Sequence, residues 1–99
     1  MRIVAVTACP TGVAHTYMAA ERLERAAKQL GHTIKVETQG SMGIENRLSS
    51  EEIRDADVAL FAAAIAVRDR ERFAALRVVE VSVQDAIKDP QRILSDLAP

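Results

Sequence analysis

Cys9 is the chain's one cysteine, and five residues separate it from His15, which Thr16 follows directly. The segment Cys9-Pro10-Thr11-Gly12-Val13-Ala14-His15-Thr16 thus holds a nucleophile, a titratable ring, two hydroxyls and a glycine. A thiol attacks as its thiolate. Its ordinary titration near pH 8.5 falls to roughly 3.5–7.5 beside a helix N-terminus or a cation. If these residues turn a strand into a helix, successive backbone N–H groups point inward and the helix dipole adds its positive end. Gly12 permits the tight path. Such a cup fits an oxyanion, and a thiolate at its lip is a nucleophile for phosphoryl transfer. The expectation is that Cys9 carries the chemistry, with Pro10, Thr11, Gly12, Val13, Ala14, His15 and Thr16 as the phosphate-binding loop and no metal.

Each of these residues also has a plainer reading. A lone cysteine is commonly a small buried hydrophobe. His15 could only cap a helix, and Thr11 and Thr16 could only bond the local backbone. His32 reads as a surface turn, Met18 and Met42 as packing residues, and Arg68-Asp69-Arg70-Glu71-Arg72 as a solvated helix face. What lifts Cys9 above the plain reading is its place in the chain, which depends on the elements around it.

Ile3 to Val6 is a continuous apolar run, the pattern of a strand buried on both faces. A helix is predicted from about His15 to Leu30, with Ala19, Leu23, Ala26, Ala27 and Leu30 on its apolar side and Gly31 as its stop. Thr33 to Thr38 alternates, which predicts a strand with Ile34 and Val36 inward and Lys35 and Glu37 toward water. Gln39 to Leu48 reads as a loop. Ser49-Ser50-Glu51-Glu52 is a capping box opening a short helix. Val58 to Ala64 is a second fully buried strand, Asp69 to Leu76 a helix, and Val78 to Val83 a strand alternating around Glu80. Asp89-Pro90 reads as an N-cap and first helical residue.

Strands and helices in alternation predict one α/β domain over residues 1–99, a three-layer sandwich with helices on both faces of a four-stranded parallel sheet. The two all-apolar strands belong in the middle and the two alternating ones at the edges, which the order 2-1-3-4 satisfies. In such sheets ligands bind at the C-terminal ends of the strands where the order reverses. The first strand ends there, at Cys9.

Composition removes other classes. Hydrophobic residues are 48% of the chain and aromatics 3%, so the core is built from small aliphatic side chains. Thirteen basic residues against 14 acidic ones leave a net charge of -1, with no clustered basic and aromatic surface for nucleic acid. No apolar stretch reaches the length of about 18 residues that a membrane span needs. One cysteine cannot form an internal disulfide and fits a reducing compartment, so a cytoplasmic protein is expected. The start at Met1 is taken as favouring a free subunit.

Cysteine phosphatases and arsenate reductases use Cys-x5-Arg followed by Ser or Thr at a comparable turn, which makes a low-molecular-weight relative of those enzymes the alternative reading. Here His15 stands where they carry arginine, and a histidine cannot clamp phosphate with a permanent bidentate charge. Val4-Ala-Val-Thr-Ala-Cys-Pro-Thr-Gly-Val-Ala-His-Thr-Tyr-Met-Ala-Ala-Glu21 resembles instead the signature of the fructose-class IIB components of the bacterial sugar phosphotransferase system. Val36-Glu-Thr-Gln-Gly-Ser-Met-Gly43 resembles the loop after the second strand of that family, and the similarity runs on through Arg72-Phe73. The resemblance implies a phosphocarrier that needs no cofactor. A phosphohistidine of a IIA partner would pass its phosphoryl group to Cys9. The phosphocysteine would then phosphorylate fructose or a fructose-like sugar held by an integral-membrane IIC permease, with the carrier visiting the inner face of the membrane. Ala64 departs from the family, whose members commonly carry an acidic residue just after the third strand; it should share a rim with Cys9.

Overall fold

The protein is described by a computed structural model covering residues 1–9 and 13–97, with Val13 described by its backbone alone. Five strands form one sheet in the order β3-β2-β1-β4-β5. They are β1 (Arg2–Ala8), β2 (Thr33–Gly40), β3 (Gly43–Glu45), β4 (Val58–Ala63) and β5 (Val78–Val81). The helices are α1 (Val13–Gln29), α2 (Ser50–Arg54), α3 (Val83–Lys88) and α4 (Pro90–Asp96), and a single 3-10 turn covers Arg70–Phe73.

The all-apolar strands take the middle of the sheet, as expected. Ile3 and Ala5 of β1 and Val58, Leu60 and Ala62 of β4 face one core with α1, α3 and α4. Val4 and Val6 with Ala59 and Phe61 face a second core against Leu48, Ile53, Val67 and Phe73. A strand that feeds two cores cannot alternate in polarity, which is why β1 and β4 read as unbroken apolar runs. On the α1 side, Ala19, Ala20, Ala26 and Ala27 bring the helix close to the sheet around the fully buried Leu23. On the other side Phe73 meets Phe61 edge to face, with centroids 5.1 Å apart.

Several expectations need correction. The sheet has a fifth strand, β3, which pairs antiparallel with β2, so the sheet is mixed and β2 is not an edge. Gly40 lies opposite Gly43 across the turn Ser41-Met42, and Gly43 takes φ 90°, a conformation that side chains resist. Glu37 points into the second core side and is fully buried, so the solvated side of β2 extends only as far as Lys35. Lys35 does meet water and pairs with Glu52 at 2.8 Å. Between Asp69 and Leu76 there is no α-helix but only the 3-10 turn, entered through a left-handed Asp69 with φ 55°. The last strand stops at Val81, because the Ser82 side chain accepts a hydrogen bond from the Asp85 N–H and opens α3, a helix not predicted. Leu30 is exposed, beyond the end of α1. Asp89 precedes Pro90 at the start of α4 but makes no side-chain cap. The Ser49 capping box is present, with Ser49 and Glu52 each bonding the other's backbone N–H.

Candidate functional site

β1 delivers Cys9 to the middle of one end of the sheet. Ala8 lies level with Gln39 of β2 and Ala63 of β4, so Cys9 is the first residue beyond the paired rows. Two backbone bonds hold this end. The Cys9 N–H donates to the Gln39 carbonyl at 3.4 Å, and the Ala64 N–H donates to the Ala8 carbonyl at 2.8 Å. The chain leaves β1 toward β2 on one side and later returns to β4 on the other, which makes this end the reversal point of the sheet.

Helix α1 begins at Val13, earlier than the sequence reading set it, so Val13 to Thr16 form its first turn and not a loop. The first turn carries no acidic residue to offset the positive end of the helix dipole. Thr16 is buried and Ala14 and His15 are exposed. The Thr7 hydroxyl donates to the Thr16 carbonyl at 3.2 Å, tying the end of β1 to the helix. Pro10, Thr11 and Gly12, the rest of the expected phosphate-binding loop, lie outside the described residues.

Cys9 is 6% exposed. It is recessed, not perched on an open lip as the sequence reading had it. It borders a cleft of about 330 Å³ whose other walls are His15, Ala64 and the α3 residues Val83, Gln84, Ile87 and Lys88. Ala64 therefore shares the rim of Cys9, as expected. Lys88 and the face of α3 are not expected from the sequence, where the strand runs to Val83 and Gln84 to Lys88 carry no predicted element. Ser82 with Asp85 three residues on was the available signal. The cleft brings the thiol together with one lysine and one histidine on a lining that Ala64, Val83 and Ile87 make largely apolar. Among the described residues no three His, Cys, Asp or Glu side chains gather as a metal site.

Behind the site sits a charged network that sequence reading missed. The buried Glu37 carboxylate accepts two parallel bonds from Arg72, at 3.0 Å and 2.9 Å. It also accepts the Leu48 N–H at 2.9 Å and the Gln39 side-chain amide at 2.7 Å. Burial pushes the Glu37 carboxyl up, but Arg72, Gln39 and the Leu48 amide together outweigh it and hold the group below the usual carboxylate range. Gln39 in turn grips the backbone of Arg68, accepting its N–H at 2.8 Å and donating to its carbonyl at 3.2 Å.

The whole chain matches known proteins. The model of the family described as "PTS system, Lactose/Cellobiose specific IIB subunit" matches residues 4–96. A fructose-like PTS system EIIBC component of Escherichia coli is 56% identical over 98% of this chain, and the chain spans 20% of that relative's length. The PTS system fructose-like EIIB component 2 of Escherichia coli is 51% identical, over 97% of this chain and 91% of its own. The crystal structure of a domain of the fructose-specific IIABC component of Borrelia burgdorferi superposes with a TM-score of 0.91 at 50% identity, covering 96% of this chain and 90% of that one. The family description and the relatives name different sugars but the same component. No helix among the described residues is long and apolar enough to cross a membrane. The chain belongs to the IIB family of the sugar phosphotransferase system, and the relatives it matches are the fructose-like members.

Proposed function

We propose that this chain is a phosphocarrier that takes a phosphoryl group onto Cys9 from a phosphohistidine of a IIA partner and passes it to fructose or a fructose-like sugar held by a membrane IIC permease. The observation that carries the proposal is the position of Cys9. It is the first residue past the central strand, at the reversal of the sheet and against a cleft flanked by His15 and Lys88. In the first transfer the Cys9 thiolate attacks phosphorus, the P–N bond breaks, and its electron pair stays on the leaving imidazole. In the second the sugar oxygen attacks, the S–P bond breaks, and the sulfur departs as thiolate while the hydroxyl proton passes to a base on the partner side. Neither step requires a cofactor from this chain. Backbone N–H groups of Pro10 to Thr16, where they carry a hydrogen, are the proposed cradle for the phosphoryl oxygens. The work would take place in the cytoplasm, with visits to the inner face of the membrane.

Mass spectrometry tests this directly. After incubation with phosphoenolpyruvate and the upstream carriers, one acid-stable, iodine-sensitive phosphoryl adduct is expected on Cys9, and none on the Cys9→Ala variant. An adduct on His15, or one retained by Cys9→Ala, would overturn the assignment.

A further inference from the structure

The segment that leaves β4 passes beside Cys9 with little side chain to hold it. Ala64, Ile65 and Ala66 are exposed, and only Val67 is buried before Arg68. Two small residues and an outward-facing isoleucine contribute little packing, so the course of this strap, from Ala64 at the cleft to Val67 in the second core, depends on how its backbone is tied. One tie is the Ala64 N–H to Ala8 bond at 2.8 Å, beside Cys9 itself. The other lies at Arg68, where the Gln39 side chain satisfies both the backbone N–H and the carbonyl.

We propose that Gln39 is a positioning residue for transfer at Cys9, fixing the Arg68 end of the Ala64–Arg68 strap, whose Ala64 borders the cleft, while its own carbonyl holds the Cys9 amide. The inference rests on the phosphocarrier reading above. Gln39 bonds both backbones: its carbonyl accepts the Cys9 N–H at 3.4 Å and its side chain clamps Arg68. Glu37 decides which way the Gln39 amide faces. A carboxylate bound to Arg72 can only accept, so the Gln39 nitrogen must face it, and this turns the Gln39 oxygen toward the Arg68 N–H. The buried ion pair thereby fixes the orientation of a clamp on the segment that begins at the thiol's rim with Ala64. A partner's phosphohistidine coming within in-line distance of Cys9 through the cleft meets Ala64, the first residue of this strap. A loose strap lowers the fraction of docked complexes in which sulfur and phosphorus are aligned.

Gln39→Met keeps the side chain's length and removes both the donor and the acceptor. It is expected to lower the rate constant for transfer from phosphorylated IIA to Cys9 about tenfold, with the KM for IIA within about twofold. The Arg68 amide is expected to exchange with solvent at least tenfold faster, while amides of β1 and β4 keep their protection. Gln39→Asn, which retains the amide but falls one methylene short of Arg68, is the second variant should the methionine prevent folding, and the same pattern is expected. Transfer at the wild-type rate in a folded variant whose Arg68 amide is freed would overturn the positioning role. A uniform loss of protection would reduce Gln39 to an ordinary stabilising residue. If the wild-type chain itself takes no phosphoryl group from IIA, the phosphocarrier reading fails first, and this inference with it.

Discussion

Glu37 is the residue on which the second core side depends. Its carboxylate receives two bonds from Arg72 and one each from Gln39 and the Leu48 amide, all between 2.7 and 3.0 Å. Arg72 is the one cation among these donors, and its side chain is only 17% exposed. Removing it leaves a buried charge uncompensated, so Arg72→Met is expected to destabilise the fold by about 3–5 kcal/mol in urea unfolding. A loss below about 1 kcal/mol, the range of a surface pair, would show that the pair is effectively solvated. The pH dependence has a definite sign. Because Glu37 titrates lower in the folded state than in the unfolded one, its contribution is complete above the unfolded value, near 4.3, and fades as pH falls toward the folded one. Stability of the wild-type chain should therefore drop more steeply below about pH 5 than that of Glu37→Gln; parallel curves would refute the assignment. None of this was legible in the strand pattern. Alternation says that Lys35 and Glu37 share a side, but not that Arg72, 35 positions on, covers the far end of that side. The place of Cys9 at the end of the central strand was legible because its signal is local: a lone thiol between an apolar run and an amphipathic helix.

Elements announced by short-range chemistry were found where expected. The Ser49 hydroxyl accepts the Glu52 N–H at 3.1 Å, and Glu52 accepts the Ser49 N–H at 2.7 Å. With five residues, α2 makes too few internal bonds to stand by propensity, so this box and the buried Ile53 hold it. Ser49→Ala should cost about 1 kcal/mol, a fall of roughly 4–8 °C in Tm for a domain of this size. An unchanged Tm would mean that Ile53 packing alone secures α2. Two elements that depend on distant partners were misread, and so was one locally capped helix. The strand β3 has three residues and no alternation to reveal it; what forms it is Gly43 at a positive φ, folding the chain back onto β2. The charge run from Arg68 to Arg72 has helical composition. The Gln39 side chain, however, holds the Arg68 backbone and Glu37 holds the Arg72 guanidinium, and only a 3-10 turn results. Val83 continued the apolar alternation of β5, yet Ser82 caps a helix there, and that helix supplies Lys88 to the cleft.

At the scale of the molecule, the order of the parallel strands followed from polarity alone, because only a strand covered on both faces can be apolar throughout. The same reasoning orders the strands by stability. Every residue of β1 from Ile3 to Ala8 is buried, and β1 is bonded along both edges, to β2 over seven positions and to β4 over six. Its amides can open only when the two cores separate, which is global unfolding. At the other extreme β3 is bonded along one edge, over three positions, and none of its residues is buried. Opening it exposes little apolar surface and breaks few bonds, so its amides should exchange through local fraying. Native-state hydrogen exchange is expected to give β1 and β4 opening free energies equal to the value from urea unfolding, and β3 values several kcal/mol lower. Were β3 protected as strongly as β1, the hairpin would belong to the cooperative core. The turn at Ser41-Met42, where Met42 is 72% exposed, would then be a rigid part of the surface beside the first turns of α1 and not a compliant one.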